Sequence, residues 1–146
     1  TAQVAAFMQD NDFRVPEEDL LDVDRYLPER VLNNRYGCPA NMAVLAHHVG
    51  MRAAWSSTVV LHEGRFCLVD QANLLVDPGE GWRISNPSKT DTIHPCSRRD
   101  VWLGVLSRIF LVALVEGNLR DLNLLSDVLT SLDGTDQSVL PYPIGE

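Results

Sequence analysis

Residues 39–78 read PANMAVLAHHVGMRAAWSSTVVLHEGRFCLVDQANLLVDP, and a change of period inside this stretch sets the fold class. Over 40–54 the apolar groups Met42, Leu45, Ala46, Val49 and Ala53 recur at i, i+3, i+4 and i+7 spacing, the pattern of a helix with one inward face. Pro39 stands at its start, where a missing N–H does no harm. Gly50 weakens that helix by roughly 1 kcal/mol against alanine, and its lack of side chain leaves room for a neighbouring strand to come close. From Trp55 the period becomes two: Ser57, Val59 and Leu61 alternate with Thr58, Val60 and His62. Glu63-Gly64 predicts a turn, 65–70 a second strand, Gln71-Ala72-Asn73 a further turn and 74–76 a third strand. The expectation is α+β: a buried central helix laid on a three-stranded antiparallel meander that closes at Asp77-Pro78.

Working outward toward the N-terminus, Pro16 followed by Glu17, Glu18 and Asp19 places a fixed φ and three negative charges in a first helical turn, so a short helix is expected through Leu20 and Leu21. Asp24 is the expected cap of a second helix whose Leu27, Val31 and Leu32 share a face. Pro28 falls in its first turn, and Asn33 to Gly37 stop it. On the other side, residues 79–96 are rich in Gly, Pro, Ser, Thr and Asp and read as a long connection. Ser97 then caps a helix over 98–116 that is apolar nearly all round and is therefore expected to be deeply buried. Gly117-Asn118 breaks it. A last helix over 119–132, with Leu122, Leu125, Val128, Leu129 and Leu132 on one face and Gly134 as its stop, completes a helical hairpin; the tail with Pro141 and Pro143 is expected to be extended and partly mobile.

Composition narrows the function. At 146 residues and 16.3 kDa the chain is one domain's worth of protein, able to bury roughly two thirds of the surface its unfolded form exposes. With 45% hydrophobic and 22% charged residues it is neither disordered nor low-complexity. Twelve basic residues against 20 acidic ones leave a net charge of −8, which repels a phosphate backbone, so nucleic acid is not an expected partner. Cys38, Cys67 and Cys96 form no CxxC pair and leave an odd thiol, which points away from a disulfide framework and toward a reducing, cytoplasmic setting. No charged-then-apolar leader opens the chain, so secretion is not expected. The apolar stretch 101–115 falls short of the ~20 residues of a bilayer span and carries Arg108, so no membrane partner is expected.

The order helix, meander, Asp-Pro resembles the transglutaminase-like, papain-related core, in which a cysteine opens the central helix and a histidine and an acidic residue follow on adjacent strands. Its bacterial Sir-B-type branch, where tetratricopeptide-like helices follow that core, is closer still. That branch reads VLxxRxGxP at the mouth of the central helix, and Val31-Leu32-Asn33-Asn34-Arg35-Tyr36-Gly37-Cys38-Pro39 fits it without a gap. It then reads GHF, a strand and DP, to which Gly64-Arg65-Phe66 and Asp77-Pro78 correspond. Leu106-Ser107-Arg108 and Glu116-Gly117-Asn118 sit in a hairpin similar to the tetratricopeptide-like pair. The resemblance covers about residues 24–132 and implies a core at 24–82 and a hairpin at 97–133 within a single domain, 1–146. The chain contains no nucleotide fingerprint, P-loop or HExxH motif, and two helices do not make a repeat array.

On this resemblance Pro39 occupies the position of the catalytic cysteine and Arg65 that of the histidine, and only Asp77 survives from the triad. Proline offers no nucleophile, and a guanidinium that stays protonated cannot take a thiol's proton. The implied protein is a pseudoenzyme that binds a protein, peptide or small ligand through a vestigial cleft, with Pro39, Asn41, Arg65 and Asp77 as its ligand-binding residues. Arg65 and Asp77 are expected to pair across neighbouring strands, as a structural ion pair or as part of the binding site. The alternative is a cysteine-dependent acyltransferase or peptidase. Cys38, His62 and Asp77 come in triad order, and a thiolate just before a helix N-terminus is favoured by the dipole. Its cost is register, because a three-residue shift of the histidine on a strand reverses the facing of its side chain. A third reading turns Asn41, Arg65 and Asp77 to a small-molecule reaction that needs no nucleophile.

No metal or cofactor is expected: His47 and His48 point about 100° apart on their helix, and His94-Pro95-Cys96 supplies two ligands without a third. The expected pair is one histidine at a polar edge and one in the core. Cys67 and Cys96 read as small inert apolar residues. Arg35 reads as structural at the helix mouth, and Trp82, Trp102 and Tyr36 as core anchors or cleft walls.

Overall fold

An extended Cys38 followed by proline at the first helical position starts helix α3 (Pro39–Arg52) in the computed structural model, which describes residues 1–17, 22–88 and 92–133. Its buried stripe is Ala40, Met42, Ala43, Ala46 and Gly50, with Leu45 and Val49 half-buried and Ala53 exposed, so the inward face is turned from the expected one toward smaller residues. Small residues let the helix lie close on the sheet. A Cβ on Gly50 would stand 2.2 Å from Trp55 Cε3, so the space this glycine leaves is filled by an indole ring and not by the expected strand. Among the described residues two helices and a turn precede α3. Helix α1 (Ala2–Asp10) sends Val4, Ala5 and Met8 into the core. The expected Asp24 cap is corrected: Asp22 caps a 3-10 turn, Val23–Arg25, through the Asp24 N–H, and helix α2 (Pro28–Asn34) starts after Leu27 with no side-chain cap. Of its expected apolar face only Val31 is buried. The helix stops where Arg35 turns left-handed at φ 60°.

The meander forms as strands β1 (Ser57–His62), β2 (Arg65–Asp70) and β3 (Leu75–Asp77), all antiparallel. Glu63 and Gly64 both have positive φ, 49° and 77°, which matches the strand twist and sets His62 opposite Arg65. Asp70 Oδ1 accepts the Ala72 and Leu74 N–H groups, each at 2.9 Å, and shapes the second turn. Residues 79–96 correct the expected connection. A 3-10 turn, Pro78–Glu80, leads to β4 (Arg83–Ser85), and β5 (Ile93–Pro95) pairs with β1, so among the described residues the sheet has five strands in the order β4-β3-β2-β1-β5. Three-residue strands are too short to show a period; they form because the edges of the meander offer unpaired backbone groups.

The sheet has two faces. Val59, Leu68 and Val76 lie opposite one another on the side of α3 and share a core with Met8, Met42, Ala43, Ala46 and Trp82. On the other side Val60, Cys67 and Leu75 form a smaller cluster flanked by Val69 and Ile93. Helix α4 (Arg98–Glu116) starts in a capping box, with the Ser97 N–H donating to Asp100 at 2.7 Å and the Asp100 N–H donating to Ser97 Oγ at 3.2 Å. It adds Val101, Val105 and Val112 to the main core, and its Gly104 lets the Phe66 ring approach. The expectation that this helix is buried all round is corrected: Trp102, Leu111, Leu114 and Val115 are exposed, because only one face meets the sheet layer. Helix α5 (Leu119–Asp133) folds back on α4, with Leu124 and, against expectation, Val128 exposed. Among the described residues no helix is long and apolar enough to cross a membrane. The expected helix through Leu20 and Leu21, the stop at Gly134 and the tail with Pro141 and Pro143 lie outside the described residues.

Candidate functional site

The corner between α2 and α3 is built on one carbonyl. Arg25 O accepts the Cys38 N–H at 3.0 Å and the Asn41 side-chain amide at 3.2 Å, while Gly37 packs so closely on Val31 that a Cβ would stand 2.7 Å from it. This corner aims the N-terminus of α3 into a cleft of about 260 Å3, walled by Cys38, Pro39, Tyr26, Arg65, Phe66 and Arg108 among others. Cys38, Pro39, Arg65 and Phe66 therefore line one opening. The Cys38 thiol is raised above its usual range: burial outweighs the Asn41 and Ala40 N–H groups and the Arg108 charge that favour the thiolate. The helix dipole expected to activate this cysteine thus loses to desolvation.

Arg65 begins β2, and its guanidinium answers three carboxylates: Glu80 at 3.0 Å, Asp77 at 3.4 Å and Glu63 at 3.6 Å. Glu80 is shared with Arg83 at 3.1 Å. Arg65 is held further into its charged form by Glu80 first and Asp77 second, and Glu80 is held below the usual carboxylate range by the hydrogen bonds of Arg65 and Arg83. Asp77 is buried, and its Oδ1 accepts the Gly79 N–H at 2.7 Å. The expected Arg65–Asp77 pair across neighbouring strands is present. Alternation places it on the Cys67 and Leu75 face of the sheet; Arg65, at the start of its strand, also borders the cleft, while Asp77 stands outside its lining.

His62, opposite Arg65 on β1, shares the face of Val60 and is buried there, away from α3. The structure therefore brings Cys38, Pro39 and Arg65 to the lining of one cleft and leaves His62 and Asp77 out of it, on the face of the sheet turned from α3. Asn41 spends its amide on the Arg25 carbonyl and borders a different groove. Cys67 is buried, and its thiol is pushed up to about 12 by burial first and the Asp77 carboxylate second. Burial also raises the Cys96 thiol.

The remaining candidates are placed as follows. His47 Nδ1 lies 3.1 Å from Ser57 Oγ, and its ring meets that of His48 edge-on at 5.6 Å. His47 is half-buried and His48 exposed, so the expected core histidine is corrected to a groove wall. Among the described residues no group of three or more His, Cys, Asp or Glu is placed to hold a metal. Arg35 donates to Asn11 O at 3.1 Å and is structural; Trp82 is a core anchor whose indole donates to Phe13 O at 2.6 Å. Tyr36 bridges to Arg14, and Trp102 is half exposed.

A second, larger groove of about 700 Å3 runs between α2, α3, β1 and the first turns of α4. Sequence reasoning did not find it, because it joins residues up to 77 positions apart, from Pro28 to Val105. The one signal was that Trp102 and Met51 are large apolar groups with no place in a single buried stripe. The chain matches no known family model, no curated protein and no solved structure.

Proposed function

We propose that this chain is a non-catalytic transglutaminase-like domain whose cleft at the mouth of α3 binds a protein, peptide or small ligand. The observation that carries this reading is that Pro39 and Cys38 line one cleft together with Arg65 and Phe66. In the transglutaminase-like arrangement these are the places where a nucleophile and its base would meet. Pro39 has no nucleophile. Arg65 has no basic lone pair and is engaged by three carboxylates. The neighbouring Cys38 thiol is raised by burial, the opposite of what acyl transfer needs. What is left is a concave wall with an aromatic ring, Phe66, and the guanidinium of Arg108, groups suited to recognition. Three free thiols fit a reducing, cytoplasmic setting.

Alkylation with iodoacetamide at neutral pH, mapped by mass spectrometry, tests the reading. Cys38, Cys67 and Cys96 are expected to react more slowly than free cysteine. A fast Cys38 would overturn the pseudoenzyme and favour thiol chemistry at Cys38, with a base other than His62, which lies on the other face of the sheet. The double variant Pro39→Cys/Arg65→His is expected to gain a reactive thiol at residue 39; a thiol there no more reactive than a free one would count against the register.

A further inference from the structure

The groove between α2, α3 and the start of α4 is distinct from the cleft at the mouth of α3, with Val105 on the border of both. Its walls are apolar: Val44, Leu45 and Met51 from α3, Val101 and Trp102 from α4. At about 700 Å3 it falls in the range of small-molecule sites, roughly 300–1,000 Å3. Among the described residues its charged lining group is the guanidinium of Arg98, which stands with the imidazoles of His47 and His48 and the thiol of Cys96. His47 and His48 come from α3 and Arg98 from α4, whereas α2 and β1 contribute no ionisable group to the lining. In a chain with 20 acidic residues and a net charge of −8, no carboxylate among the described residues lines this groove. Asp100, on the turn beside it, is held by the Ser97 N–H in the capping box. Arg98 forms no ion pair among the described residues, and the His47 ring is fixed by Ser57.

We propose that this groove binds a small amphipathic carboxylate, with its acyl chain along Leu45, Met51 and Trp102 and its anionic head between Arg98 and His47. Apolar walls alone would accept any greasy ligand or a partner helix. The uncompensated guanidinium beside two imidazoles selects an anion, because a cation there would meet three like or neutral-donor groups and no counter-charge. His47 is kept below its usual range by burial, by His48 and, last, by Arg98, although its contact with Ser57 works the other way. An arriving carboxylate favours the imidazolium, so binding takes up protons and strengthens as pH falls.

Isothermal titration of the full chain with decanoate, decanol and decyltrimethylammonium at pH 6.5 tests this. Decanoate is expected to bind one to one and at least tenfold more tightly than the cation. In buffers of different ionisation enthalpy, decanoate binding should show net proton uptake. Arg98→Gln, at an exposed position, should weaken decanoate about tenfold or more while leaving decanol unchanged, the size of one charge-assisted hydrogen bond. Trp102→Ala should weaken decanoate and decanol alike. Equal binding of decanoate and the cation, or decanoate binding that ignores both substitutions, would overturn the proposal. So would sedimentation showing that a second copy covers Trp102, or an apolar helical peptide that binds while decanoate does not. These readouts do not involve Cys38, Pro39 or Arg65, so they stand or fall apart from the cleft.

Discussion

At Arg65 one guanidinium neutralises a carboxylate that the fold has buried. Asp77 is 7% exposed and Arg65 39%, so the pair lies between a wet surface bridge, worth under ~1 kcal/mol, and a dry one, whose breaking costs ~3–5 kcal/mol. Arg65→Ala is expected to lower stability by about 1–2 kcal/mol in urea denaturation. A loss above ~3 kcal/mol would mean the site is drier than its exposure implies. Cys67 makes the second prediction at this scale. Its thiol rises from the usual 9.0 to about 12 in the fold, so the neutral form is favoured by folding. That contribution is fully present below the unfolded value and is lost as pH rises through the folded one. Stability should therefore fall between about pH 9 and pH 12, and Cys67→Ala should flatten this alkaline limb. An unchanged alkaline limb in the variant would assign the loss to other groups.

Among the elements, α3 depends on a glycine that looks like a weakness. Alanine at 50 would raise helix propensity by about 1 kcal/mol, yet its Cβ would stand 2.2 Å from Trp55 Cε3. That ring is tethered, since the indole N–H donates to Thr1 Oγ1 at 3.1 Å, and Thr1 in turn bonds Asp70. Overpacking of a held ring costs ~1–3 kcal/mol. Gly50→Ala is expected to lower the thermal midpoint, whereas the same change in a Trp55→Ala background should be neutral or stabilising. If the single variant were the more stable, the contact would not restrain the helix.

For the whole molecule, burial is unevenly shared. Helix α3 lies between the sheet and the N-terminal elements and supplies Met42, Ala43 and Ala46 to the main core, whereas α5 packs chiefly on α4 and, among the described residues, adds none to that core. Native-state hydrogen exchange should find the α5 amides opening at lower free energy than those of α3, with α4 between them. Equal protection of α3 and α5 would show one cooperative unit and contradict the gradient that the packing implies.

The period change at Trp55 was enough to specify helix then meander: α3 buries one face at helical spacing, while β1 and β2 are β-rich runs bounded by local turn residues and are buried on both faces. Turn chemistry at Glu63-Gly64, the Ser97 cap and the Gly117 break were equally legible, since each rests on backbone geometry local to a few residues. The Arg65–Asp77 pair was expected only from the family resemblance, and the folded strands bring the two within 3.4 Å. Long-range packing decided the rest. β4 and β5 exist only because the meander has edges to fill, and Trp55, not a strand, occupies the room beside Gly50. An all-round apolar pattern could not say which side of α4 would stay in solvent. Nor could any spacing show that burial would override the dipole at Cys38, or that Leu45, Trp102 and Arg98 would wall one groove. Desolvation and concavity are properties of what surrounds a residue, and those surroundings come from parts of the chain far apart in sequence.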